Sequence, residues 1–558
     1  MALKKQAADD IMIVMKRIYQ IIASVENIPL SLASFTMSFF ALIVARLLIE
    51  NAVFSLFKER TFFYFFGEFI HTFLFFLCAF LLLIPIVRFA GNVGFPKAVN
   101  VVFSGFLIIL TPPIIDAIIF RGSSFWSFYE FDGFFGLMER YITLFGDTPS
   151  IGITYGTRIE VVLVTLALGV YAFLKSRRVF KSLFVALIVY TILFVLGTFP
   201  SWLTLAALSF QKSFLSINQN DVAALFLSPE SIFARELTDF VSALSIKMSV
   251  IYGMLAVFLA GIVLWKEYPH YFIALWKNAR LSQMVYHGGL LIVGVISALI
   301  FTSAQWRLDI FHLSGMFVLL AAVESAWLSS VVVNDFSDTR IDKENNLARP
   351  LITNTISPDL YRTFGVLFFI ASLILSSLVS FTVTLLLLGY QSFAWMYSVP
   401  PFRLKRFPLI ATAFSAFASL LIFISGFLAV APAGGLSHFP LPLLFFLLVA
   451  YAFALPVKDF KDIKGDRLDR VYTLPVLLGA GKAKLLIGMF LFLLYVASPI
   501  VFSARLLFIP ALFFGTLAFW VLQKSSDNER SFFSYRKLPG IQLALTAAYL
   551  GTIAYLLF

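Results

Sequence analysis

The chain has 558 residues, is 60% hydrophobic and only 13% charged, and carries a formal net charge of +12. Soluble domains are roughly 45–50% apolar and about 25% charged, so this composition excludes a soluble enzyme and points to an all-α polytopic membrane protein. The single cysteine, Cys78, excludes an intramolecular disulfide and any cysteine-based metal site.

The N-terminal "MALKKQAADDIMIVMKRIYQ" scatters its charges and lacks the compact apolar core of a signal peptide. It reads as a cytoplasmic amphipathic lead-in. Apolar windows of about 20 residues, each able to span a bilayer as a helix, follow near 30–54, 63–87, 98–120, 158–174, 183–199, 242–265, 286–304, 309–333, 362–380, 381–397, 407–430, 439–456, 485–503, 507–523 and 538–557. That makes about 15 transmembrane helices. With the N-terminus inside, roughly three quarters of the 42 Lys and Arg fall in inner segments, which satisfies the positive-inside rule. The net charge is therefore read as basic cytoplasmic loops in the inner membrane, with no nucleic-acid partner.

Within the first six spans, Arg46 and Glu50 stand at i and i+4 and are spaced to pair. "TPPII" marks a kinked helix before Asp116, and Asp116 and Lys247 both map toward the outer ends of their spans, where they are expected to meet. The aromatic stretch "FWSFYEFDGFF" is expected at the membrane interface. The polar, basic segment 266–285 reads as a linker. It divides an N-terminal membrane domain of unknown role, 1–279, from a nine-helix domain, 280–558.

The chemistry is concentrated after the eighth span, in "VVVNDFSDTRIDKENNLARPL", residues 331–351. Three carboxylates beside hydrocarbon are costly. At i, i+3 and i+7, Asp335, Asp338 and Asp342 fall on one face of a helix. "VKDFKDIKGD" repeats the spacing after another span with Asp459, Asp462 and Asp466, on the same side of the membrane. Two facing acidic stripes repel unless cations lie between them, and oxygen-only ligands suit Mg²⁺ bridging carboxylates to substrate phosphates. The bland alternative is a pair of solvated acidic helix ends.

"NDFSDTRID" at 334–342 resembles the first aspartate motif of the UbiA superfamily of intramembrane prenyltransferases. "ARPL" resembles its sequel, "YSVPPFRLKR" at 397–406 the family's Tyr-containing loop, and "KDFKDIKGD" at 458–466 its second motif. The resemblance covers about 280–558 and implies a nine-helix bundle that transfers an isoprenyl group from a prenyl diphosphate to a hydrophobic acceptor. It further implies that Asn334, Asp335, Asp338, Asp342, Asp459, Asp462 and Asp466 hold Mg²⁺ and diphosphate. Arg349, Arg403, Lys405 and Lys458 would clamp the diphosphate, and Tyr397 would lie near the reacting carbon. The family's opening Arg-Pro pair is replaced by "NARLSQMVYHGG", in which Arg280 is the loose counterpart.

Glu324 lies eleven residues before Asp335, about 16 Å deeper on the same face at 1.5 Å per residue. It reads either as a group that recognises the acceptor or takes its proton inside the membrane, or as a protonated glutamic acid hydrogen-bonded to a neighbouring helix. Rival classes are a polytopic transporter or lipid-binding membrane protein, whose ionisable groups would sit near the midplane, and a CDP-alcohol phosphotransferase, whose D-G-x-x-A-R signature is absent.

Overall fold

The computed structural model describes residues 2–53, 62–119, 129–146, 152–228, 240–304, 306–339, 342–343, 348–432, 437, 439, 441–468, 471–501 and 503–557. Among these the chain is helical throughout, with one isolated bridge at Ser526–Ser534 and no sheet. Among the described residues, thirteen helices are long and apolar enough to cross a membrane. The two further expected spans are the helices Phe381–Ser398 and Leu538–Leu557. Ser380 separates Pro358–Val379 from Phe381–Ser398, because its hydroxyl accepts the Thr382 N–H at 3.2 Å and caps the second helix.

Backbone contacts divide the described chain into two units, one up to Glu267 and one from Tyr268 onward. In the first, the span at 95–119 is broken by a 3-10 turn, Phe106–Leu110, just ahead of Pro112 and Pro113. Asp116 and Lys247 do not meet. Asp116 accepts the Gly156 N–H at 2.7 Å, and Lys247 Nζ donates to the carbonyls of Leu225 (2.7 Å) and Ser228 (3.1 Å). The lysine caps the orphan carbonyls that end the helix Gln219–Leu227. Arg46, expected to pair with Glu50, donates to the Ile109 carbonyl at 2.5 Å and lies over the Phe76 ring. Residues 125–128 of the aromatic stretch lie outside the described residues.

The second unit is built from paired helices: Ile310–Ser337 with Pro358–Val379, Leu281–Phe301 with Pro408–Val430, and Ala480–Val501 with Phe508–Lys524. Small residues set the closest crossing. A Cβ on Gly294 would stand 2.1 Å from the Phe423 carbonyl oxygen, and one on Gly426 2.1 Å from that of Leu291. In lipid, close backbone approach of this kind replaces the hydrophobic drive of a soluble core. The segment read as a linker is itself structured: Pro269–Asn278 is a helix that starts on its proline.

Candidate active site

Both aspartate motifs line one cavity of about 310 Å³ in the second unit. The first motif rides on the end of the helix Ile310–Ser337. Asp309 starts that helix by accepting the N–H groups of Phe311 and His312, both at 2.9 Å. Regular helix stops at Ser337, and Asp338 is its C-cap. The expected single stripe of Asp335, Asp338 and Asp342 is therefore corrected. Asn334, Asp338 and Asp342, four residues apart, line the cavity, whereas Asp335 is not among its lining residues. Adjacent helical residues lie about 100° apart, so Asn334 and Asp335 serve different sides.

Asp335 is 1% exposed and sits in a knot of polar side chains. Its Oδ2 accepts from Asn278 Nδ2 at 2.6 Å and from the Tyr361 hydroxyl at 2.8 Å; its Oδ1 accepts from Arg280 Nη2 at 3.1 Å. Arg349 closes the knot, donating to Asn278 Oδ1 at 2.5 Å and lying 4.0 Å from Asp335 and 3.8 Å from Asp342. Arg280 has a left-handed backbone (φ 56°) directly before the helix Leu281–Phe301, and Trp327 Nε1 pins that turn by donating to the Ala279 carbonyl at 2.8 Å. Asn278 and Tyr361 escaped the sequence reading. Their contacts span 57 and 26 residues, and no local pattern announces them.

On the facing side, the helix Phe381–Ser398 ends in a turn through Arg403 (φ 39°) that brings the loop back over the first motif. Asp338 pairs with Lys405 and with Arg403 at 3.5 Å. Ser398 donates to Asn334 Oδ1 at 3.0 Å. Lys405 and Tyr397 line the cavity; Arg403 does not.

The second motif is not a uniform α-helix. Residues Leu455–Asp462 form a 3-10 segment that passes into the α-turn Ile463–Leu468. A 3-10 helix has three residues per turn, so Asp459 and Asp462 eclipse, and the wider α-turn then adds Asp466. All three line the cavity beside Lys458 and Lys461. Thr473 donates to Asp466 at 3.3 Å, Lys461 lies 3.6 Å from Asp462, and Lys458 Nζ stands 5.8 Å from the centre of the Tyr397 ring. Glu324 is half-buried outside the cavity lining, 3.6 Å from where a Cβ on Gly288 would stand, and its Oε2 has no hydrogen-bond partner.

Comparison with known proteins gives one family. Residues 290–538 match the UbiA prenyltransferase family, a match that begins downstream of Asn278 and Arg280. Over 250 residues the chain is 28% identical to the digeranylgeranylglyceryl phosphate synthase of Methanococcoides burtonii, covering 43% of this chain and 86% of that one. It is 30% identical over 256 residues to the homogentisate solanesyltransferase of Arabidopsis thaliana, covering 41% and 63%. Among solved structures, a UbiA homologue from Archaeoglobus fulgidus bound to GPP and Mg²⁺ aligns with a TM-score of 0.40 and 18% identity, covering 50% of this chain and 97% of that one.

Proposed function

The C-terminal half of the chain belongs to the UbiA prenyltransferase family, and on that premise we propose that the enzyme moves an isoprenyl group from a prenyl diphosphate to a lipophilic or aromatic acceptor within the membrane, with Mg²⁺ as cofactor. The observation that carries this is the mixed charge of one cavity: five carboxylates, Asp338, Asp342, Asp459, Asp462 and Asp466, interleaved with Arg280, Arg349, Lys405, Lys458 and Lys461. Carboxylates alone repel a diphosphate, and cations alone have no need of them.

The donor set fits Mg²⁺. Its members are hard oxygens, the Asn334 amide included, and Mg²⁺ is typically held by one or two carboxylates, waters and substrate phosphates. Among the described residues no three His, Cys, Asp or Glu side chains are grouped to hold an ion, so a bound Mg²⁺ would need waters and substrate phosphate oxygens to complete its shell. When bound, the ion supplies Lewis-acid stabilisation of the leaving diphosphate.

The protein's own groups do the rest. Arg349, Lys405 and Lys458 hold the diphosphate, and Arg280 adds a further guanidinium. Asp335 is assigned to positioning: it fixes the two arginines instead of ligating metal. The bond between C1 and the diphosphate oxygen breaks with its electron pair leaving on the diphosphate, and Tyr397, which lines the cavity beside Lys458, is assigned to the neighbourhood of the developing allylic cation. The acceptor then bonds to C1 through its nucleophilic atom, and the proton on that atom passes to the departed diphosphate. By the positive-inside rule both motifs and the N-terminus face the cytoplasm. The test is turnover of labelled geranylgeranyl diphosphate by the full chain in liposomes. Product is expected with Mg²⁺ and none in EDTA, and undiminished turnover in EDTA overturns the mechanism.

A further inference from the structure

The cavity changes character along the helix Leu281–Phe301. Arg280, directly before the helix, and then Gln283 and His287, one turn apart on one face at i and i+4, line it in succession. Seven residues along a helix are about 10 Å, so the wall runs from guanidinium to imidazole over the length of a small molecule. At the His287 end the lining is aromatic. The imidazole lies 4.7 Å, centre to centre, from Trp327 and 5.8 Å from Tyr390. Two neighbouring lining groups are already engaged: the Tyr286 hydroxyl donates to Ser419 at 2.9 Å, and Trp327 Nε1 donates to the Ala279 carbonyl. Glu324, outside the lining, leaves Oε2 without a partner. At this end of the lining His287 is not engaged. It is 5% exposed, and its Nδ1 is buried without any hydrogen-bond partner.

A buried polar group without a partner is costly, and buried polar groups in native proteins are nearly always satisfied. An isoprenyl tail offers no hydrogen-bonding group, so a tail lying here would leave the imidazole orphaned. A diphosphate belongs to the cationic end. Resting on the donor–acceptor reading above, we propose that the His287 end binds the acceptor, and that the acceptor carries a hydroxyl on an apolar, ring-bearing body. The hydroxyl donates to a ring nitrogen of His287, and the body packs between Trp327 and Tyr390.

The probe pair is p-cresol and 4-methylanisole, which differ by a hydroxyl against a methoxy. The full chain holds five histidines. With ¹⁵N-labelled histidine in liposomes, the His287 resonances are identified by their loss in His287→Gln. p-Cresol is expected to shift them saturably, with 4-methylanisole binding roughly tenfold more weakly, as loss of one buried hydrogen bond implies. His287→Leu should bind the two probes equally. Geranylgeranyl diphosphate alone should leave the His287 resonances in place. A shift caused by geranylgeranyl diphosphate, or no preference for cresol in the wild-type chain, overturns the assignment. Failure of the donor reading looks different: no binding of labelled geranylgeranyl diphosphate, with the cresol response at His287 unaltered.

Discussion

Asp335 and Asn334 are neighbours in sequence with different partners in space, and the difference decides what each does. Asn278, Tyr361 and Arg280 take three of the roughly four lone-pair sites of the Asp335 carboxylate, and Asp335 is not among the residues that line the cavity. Removing the charge of a buried carboxylate that holds two guanidiniums costs about 3–5 kcal/mol in a fully buried pair, and less here because Arg280 is 26% exposed. Asp335→Asn is therefore expected to lower the melting temperature and raise KM for prenyl diphosphate roughly tenfold, about 1.4 kcal/mol, while the Mg²⁺ concentration for half-maximal rate stays put. Asp338→Asn should do the reverse, moving the Mg²⁺ midpoint upward. An equal shift of that midpoint in both variants would return Asp335 to the metal site. The sequence made the acidic character of the site legible, because paired aspartates after apolar spans are rare. It hid the division of labour, since i, i+3, i+7 spacing describes a helix that ends at Ser337.

At the scale of elements, apolar run length located the spans, including the break at Ser380. The 3-10 segment Leu455–Asp462 was not legible, because three-residue and 3.6-residue periods give the same first repeat. Crossing geometry was equally hidden. Gly289 and Gly294 look alike in the sequence, yet a Cβ on Gly289 meets nothing within 4 Å while one on Gly294 strikes backbone at 2.1 Å. Gly294→Ala should force apart Leu281–Phe301 and Pro408–Val430, at about 1–3 kcal/mol for overpacking. Because the first of these helices carries His287 and begins directly after Arg280, turnover should fall with stability. Gly289→Ala should be neutral or stabilising by about 0.5–1 kcal/mol, the ordinary gain of alanine over glycine in a helix. Thermal unfolding of the two variants in the same detergent distinguishes them, and equal losses would show that the crossing is not set at Gly294.

For the whole molecule, the informative question is where the catalytic unit begins. Charge and polarity put the sequence boundary at 279/280. The side chains argue for an earlier start. Asn278 donates to Asp335 and accepts from Arg349, and the Ala279 carbonyl receives Trp327. A chain cut before Arg280 loses all three bonds and the helix Pro269–Asn278 that presents them. A chain cut before Tyr268, where backbone contacts part, keeps them. The fragment 268–558 is therefore expected to insert and bind labelled prenyl diphosphate with near full-chain affinity. The fragment 280–558, even where it inserts, should bind it at least roughly tenfold more weakly, the cost of one buried charge-assisted hydrogen bond. Restoring only residues 268–279 should recover the difference. If 268–558 inserts but binds no diphosphate, the first unit contributes to the site directly. If both fragments bind alike, the knot around Asp335 has no part in holding the diphosphate. Backbone contacts part twelve residues before the boundary read from the sequence, because the segment 266–285, with Lys266, Glu267, Lys277 and Arg280, looks like a linker by composition, and only the partners of Asn278 tie it to Asp335 and Arg349.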